Sequence, residues 1–307
     1  WHHASAEFHM VGEHFNVTLR ANSYGARDKE RSKSSTAQRR FIVLGDSFVE
    51  GHGVEAQDRF TERLEKQYGY EFMNFGCIGM GPVMEMIVYE KLASTFDHTE
   101  VLVFFLPAND FDNNDPADLD RGSNYPYLIK QADGGYSVMY SPTSYEPQPR
   151  KQQQSKSKAF RRYLYNHIYT FNVLRQIDFD PPAPDKFNGR YDRFTKEDAE
   201  ILKACYQKLV ELAAPRPVTL FIIPIESDIR DYESGTNKRK IAKILEKFAE
   251  TNDRFQVYDL LPDLSEVARE IGTPQALYIP VDGHWGPLGH KAAASIVAKK
   301  LKLGSSN

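Results

Sequence analysis

The chain has 307 residues, 41% hydrophobic and 26% charged, which is enough for a sizeable core and too apolar for wholesale disorder. A net charge of -3 lacks the basic footprint that nucleic-acid binding needs, and no apolar run reaches the roughly 18 residues of a membrane span. Two cysteines, Cys77 and Cys205, are too few for a disulfide framework and read as buried thiols.

Residues 1–38 are polar and mixed, an N-terminal extension expected to pack on the core. The start, Trp1-His2-His3-Ala4, has no Met, basic n-region or apolar h-region, so it reads as processed and favours a periplasmic or secreted setting. Alternation predicts one strand over 14–19, and 29–38 is a charged, Ser-rich connector. From Arg39 strands and helices alternate. Strands are predicted at 39–44, 71–75 and 101–106, with helices at 61–68 and 83–96 between them. Such spacing argues for βαβ units on a parallel sheet.

The alternation then stops. Residues 112–194 read as an insertion over the top of the sheet, acting as a lid or rim. It holds a hairpin around Asp133-Gly134-Gly135, a Pro-, Gln- and Lys-rich stretch, and an amphipathic helix at 159–177. Its basic run, Arg150 to Arg162, reads as a solvated face, with contact to an acidic glycan or a membrane surface as the alternative. The pattern resumes with a helix capped by Thr195 and Asp198 and running to about 214. Strands follow at 218–223 and 255–258, and helices at 237–250, 264–271 and 288–301. The expected fold is a three-layer α/β/α sandwich on a five-stranded parallel sheet, one domain over 39–303 with the insertion inside it.

Four stretches fall on one edge of such a sheet. Gly45-Asp46-Ser47 follows the first strand, Gly76-Cys77-Ile78-Gly79-Met80-Gly81 the second, and Pro107-Ala108-Asn109-Asp110 the third. Asp282-Gly283-His284-Trp285 comes after the fifth. Ligands of open α/β sheets bind beyond the carboxyl ends of the strands. Taken alone, Gly45-Asp46-Ser47 is turn chemistry, or the cap of the next helix. Together the four supply a hydroxyl, a loop of free amides, a side-chain amide and an Asp/His pair, the requirements of acyl transfer. No Gly-x-Ser-x-Gly elbow and no metal-ligand spacing is present, and no cofactor is expected.

These blocks resemble the SGNH hydrolases, also called GDSL esterases and lipases, over roughly residues 39–112 and 195–303. The resemblance implies Ser47 as nucleophile, His284 as base and Asp282 as its orienter. It implies an oxyanion hole from the Ser47 and Gly79 amides and the Asn109 side chain. Two departures stand out: Pro107 replaces the Gly that usually opens the third block, and Asp282 precedes His284 by two residues where three is usual. The resemblance implies hydrolysis of O-acyl, chiefly O-acetyl, esters of a carbohydrate or small lipidic alcohol, with O-acyl transfer to a sugar hydroxyl as the alternative. Other candidates read as structural. His290 is assigned to packing or capping, His52, after the nucleophile loop, to structure, Asp110 to propping Asn109, Cys77 to packing, and Trp285 equally to packing or pocket.

Overall fold

The computed structural model describes residues 1–112, 125–140 and 189–304. A hairpin comes first, β1 (Glu7–Val11) antiparallel to β2 (Asn16–Arg20). The central sheet then takes β3 (Arg40–Gly45), β4 (Glu71–Asn74), β5 (Glu100–Phe105), β8 (Val218–Ile222) and β9 (Phe255–Asp259). Its order is β4-β3-β5-β8-β9 and every pairing is parallel. The chain therefore starts in the interior, steps to one edge, and crosses back to fill the other side. That reversal puts the topological switch point between β3 and β5, beside whose carboxyl ends doubly wound sheets bind ligands.

Buried on both faces, the strands are nearly continuous apolar runs: Phe41 to Leu44 and Val101 to Phe105 are fully enclosed. Helices cover both sides. On one face α2 (Phe60–Tyr68), α5 (Glu226–Glu233), α7 (Leu261–Ile271) and α8 (Pro287–Lys300) pack together, and on the other α3 (Pro82–Lys91), α4 (Lys196–Ala213) and α6 (Lys240–Ala249). This is the expected three-layer sandwich. Thr195 caps α4 in a capping box with Asp198, as its sequence predicts. Both cysteines are free and buried.

Three differences from the sequence reading have local causes. Strand β1 is nearly all exposed, so no alternation marks it. Helix α5 is polar and buries only Asp228 and Ile229. The expected helix over 83–96 ends at Lys91, where Leu92 leaves helical geometry before a 3₁₀ turn at Ala93–Thr95.

Of the insertion, the hairpin β6 (Pro126–Lys130) and β7 (Tyr136–Tyr140) is formed as expected, turning at Gly134 with φ +86°. Leu128 packs with Val83, Met86 and Cys205, seating the hairpin on α3 and α4. The expected helix over 159–177 and the basic run Arg150 to Arg162 lie outside the described residues. The N-terminal extension is bound into the core. Arg31, beside Asp28 and Glu65, also donates to the Phe72 carbonyl at 3.0 Å, and Asp28 accepts the Asn74 N–H at 3.1 Å.

Candidate active site

Strand β3 ends at Gly45, and a helix of one turn begins at once, α1 (Ser47–Glu50). Asp46 is its N-cap, Oδ1 accepting the Phe48 N–H at 2.9 Å. The capping and catalytic readings of this tripeptide thus coincide: Asp46 caps, and the cap presents Ser47 at the first helical position. Gly51, at φ +83°, ends the turn. The Asn74 side chain, at the end of β4, donates to the Val49 carbonyl at 2.7 Å and fixes α1 against the sheet.

The Ser47 hydroxyl lies 2.8 Å from His284 Nε2, and His284 Nδ1 lies 2.5 Å from Asp282 Oδ1. A carboxylate only accepts, so the ring proton sits on Nδ1 and Nε2 is left to take the proton of Ser47. Ser47 and His284 are both buried. The Asp/His block does not leave a strand directly. After β9 the chain forms α7 and a 3₁₀ turn (Pro274–Leu277), then a tight loop closed by the pairing of Tyr278 with Trp285. Within it Ile279 N–H donates to the His284 carbonyl at 2.8 Å, and Gly283 N–H to the Ile279 carbonyl at 3.0 Å. Val281 and Gly283 take φ +63° and +86°. That reversal turns Asp282 back onto a histidine only two residues away, so the short spacing is compatible with a direct contact. Left-handed geometry at a β-branched residue is strained, and such strain gathers at functional sites.

Asn109 follows β5 in a turn whose start is held by Asp110, which accepts the Leu106 N–H at 2.7 Å. Pro107 is accommodated in that turn. Asn109 Nδ2 lies 3.3 Å from Asp46 Oδ2, and the Ser47 hydroxyl is 3.3 Å from the same oxygen. An amide nitrogen carries two protons, so one remains for a ligand. Gly79, at φ +75°, lies in the loop after β4. The Cys77 and Ile78 N–H groups tie this loop to the Gly45 carbonyl at 3.1 Å and to Glu50 at 2.9 Å, while the Tyr125 hydroxyl donates to the Gly79 carbonyl. Among the described residues, the N–H groups of Ser47 and Gly79 have no hydrogen-bond partner. No described contact joins Gly79 directly to the other four residues.

Three carboxyls lie beneath the site. Burial pushes Asp46 up to about 6, against the pull of its donors Phe48, Asn109 and Ser47. Burial, then the nearby Asp46, holds Glu85 and Asp110 well above the ordinary carboxylate range. His290 is pushed down to about 3 by burial and then by Arg59, which keeps it neutral and in a packing role against Phe60 and Trp285. Trp285 is fully buried edge-on to Phe48, so it packs and does not line a pocket.

His52, read from the sequence as structural, is buried beside the pair. Its Nε2 is 3.4 Å from Asp282 Oδ2, and its ring lies on that of His284 with centroids 4.1 Å apart. The only signal was its place five residues after Ser47. Among the described residues, two groups of side chains have the spacing to hold a metal: His52, Asp282 and His284, and His2, Glu50 and Cys77. In each the candidate ligand atoms lie within 4.8 Å of one another. In the first, both nitrogens of His284 already serve Ser47 and Asp282. In the second, Glu50 already pairs with His2 and Ile78.

No family model and no curated protein matches the chain. Solved structures do. An alpha/beta hydrolase enzyme from the metagenome of Lake Arreo, Spain, is 12% identical and superposes with a TM-score of 0.50, covering 89% of this chain and 99% of its own. A catalytic mutant of an acetylxylan esterase from Geobacillus stearothermophilus is 11% identical, with a TM-score of 0.48 over 87% of this chain and 96% of its own. A member of the lipolytic G-D-S-L family from Veillonella parvula is 14% identical, with a TM-score of 0.44 over 85% of this chain and 97% of its own. At these identities the likeness is one of fold.

Proposed function

We propose that the chain is a serine esterase of the SGNH kind, hydrolysing O-acyl, chiefly O-acetyl, esters of a carbohydrate or small lipidic alcohol. One observation carries this reading: the unbroken relay from Ser47 Oγ to His284 Nε2 at 2.8 Å and from His284 Nδ1 to Asp282 at 2.5 Å.

A serine hydroxyl is a weak nucleophile until a base takes its proton. As Oγ bonds to the ester carbonyl carbon, the proton passes to Nε2 and Asp282 stabilises the imidazolium. The carbonyl π pair moves to oxygen. The N–H groups of Ser47 and Gly79 and the second amide proton of Asn109 are the donors for that oxyanion. Collapse breaks the bond to the alcohol, which leaves with the proton from Nε2. Water then repeats the sequence on the acyl-Ser47 ester and releases the carboxylic acid.

Turnover of p-nitrophenyl acetate tests the assignment. Ser47→Ala is expected to cut kcat by about four orders of magnitude or more. Equal rates in wild type and variant would refute it. Adding a sugar alcohol to the same assay separates hydrolysis from transfer, since a transferase would yield the acylated sugar in preference to free acid.

A further inference from the structure

We propose that His52 is a positioning residue for the catalytic pair, and that the N-terminal extension holds it in place. The proposal rests on the esterase reading above. Nε2 of His52 faces the second carboxylate oxygen of Asp282 at 3.4 Å, while the first oxygen serves His284. The two imidazoles lie in contact, tilted 31° from parallel. Asp282 is therefore addressed on both oxygens, and His284 is backed on one ring face. Such contacts limit rotation of the carboxylate and the imidazole away from Ser47. His52 Nδ1 is buried with no hydrogen-bond partner among the described residues. A ring that leaves one nitrogen unpaired is a costly space-filler, because burying an unpartnered polar atom is unfavourable. The polar edge it does use faces the carboxylate.

The extension supplies the seat. Arg27, buried, donates to the carbonyls of Glu50, Gly51 and Val54, at 3.2 Å to the first and 2.7 Å to the last. Three carbonyls on one guanidinium fix the path of the segment that carries His52. Phe15 meets the His52 ring edge-on, with centroids 5.2 Å apart. Residues outside the α/β core thus reach Ser47 through a physical chain: Arg27 and Phe15, then His52, Asp282 and His284.

The experiment compares wild type with His52→Gln, which keeps a donor near Nε2, and with His52→Phe, which keeps the ring and loses the donor. His52→Leu is a second donor-free variant should His52→Phe fail to fold, folding being checked by circular dichroism. Two readouts are taken: kcat and KM on p-nitrophenyl acetate, and the rate at which a fluorophosphonate probe labels Ser47. The donor-free variants are expected to lose about tenfold or more in kcat and in labelling rate with KM little changed, and Gln to recover most of both. Full rates in folded donor-free variants would overturn the proposal, and so would Gln as slow as Phe. Labelling separates the two hypotheses. If the wild type labels at Ser47 but hydrolyses no ester, the esterase reading fails while the labelling rates still judge His52. If the wild type does not label, both fall.

Discussion

Asn109 shows how one side chain is set by its neighbours. Its amide is tethered by one proton to Asp46, the residue that also caps α1, so the proposed nucleophile and the proposed oxyanion donor are referenced to the same carboxylate. Asn109→Ala is expected to lower kcat by about 10²–10³ and leave KM nearly unchanged, because the lost bond forms only as charge develops on the oxygen. Steady-state kinetics on p-nitrophenyl acetate measures this, and a change confined to KM would contradict it. The residues Ser47, Asn109, Asp282 and His284 were legible in the sequence because each sits in a short block with its own chemistry. The contact of His52 with His284 was not, because nothing in a sequence shows that a loop histidine lies against another 232 residues away.

Among the elements, helix α3 carries an anomaly. Glu85 is fully buried and neither carboxylate oxygen has a hydrogen-bond partner among the described residues. Its pKa is raised by burial, then by Asp46, so the folded state holds a proton that the unfolded state releases. Stability must then fall as pH rises above the ordinary carboxylate range, with no effect in acid where both states are protonated. Glu85→Gln removes that term. Its thermal midpoint should match that of wild type in acid and exceed it increasingly toward neutral and alkaline pH, read by melting curves across pH. Parallel curves would contradict the assignment. Strands β3, β4, β5, β8 and β9 were legible as apolar runs bounded by turn residues. Helix α5 and strand β1 were not, since neither shows the core enough apolar surface to leave a period.

At the scale of the whole molecule, the first 38 residues are part of the folded unit. Arg31 is the tie: nearly buried, it bonds Asp28, Glu65 and the Phe72 carbonyl. Arg31→Ala would leave Asp28 buried without its guanidinium, and such breaks cost about 3–5 kcal/mol. Urea denaturation should show an unfolding free energy lower by that amount, and a loss within error of zero would mean the extension rests on the core without bracing it. Composition and motif order identified the α/β core. The extension's grip was hidden, because ion pairs between distant segments have no local pattern. The loop 279–284 has one more consequence. His284 and Asp282 belong to a single local fold, whereas their contacts with Ser47, 237 residues from His284, and with His52 depend on long-range assembly. Mild warming or denaturant that loosens the seat of this loop would part those long-range contacts while the imidazole–carboxylate pair, two residues apart, stays whole. On the proposed esterase reading, inactivation would then precede global melting and reverse on cooling.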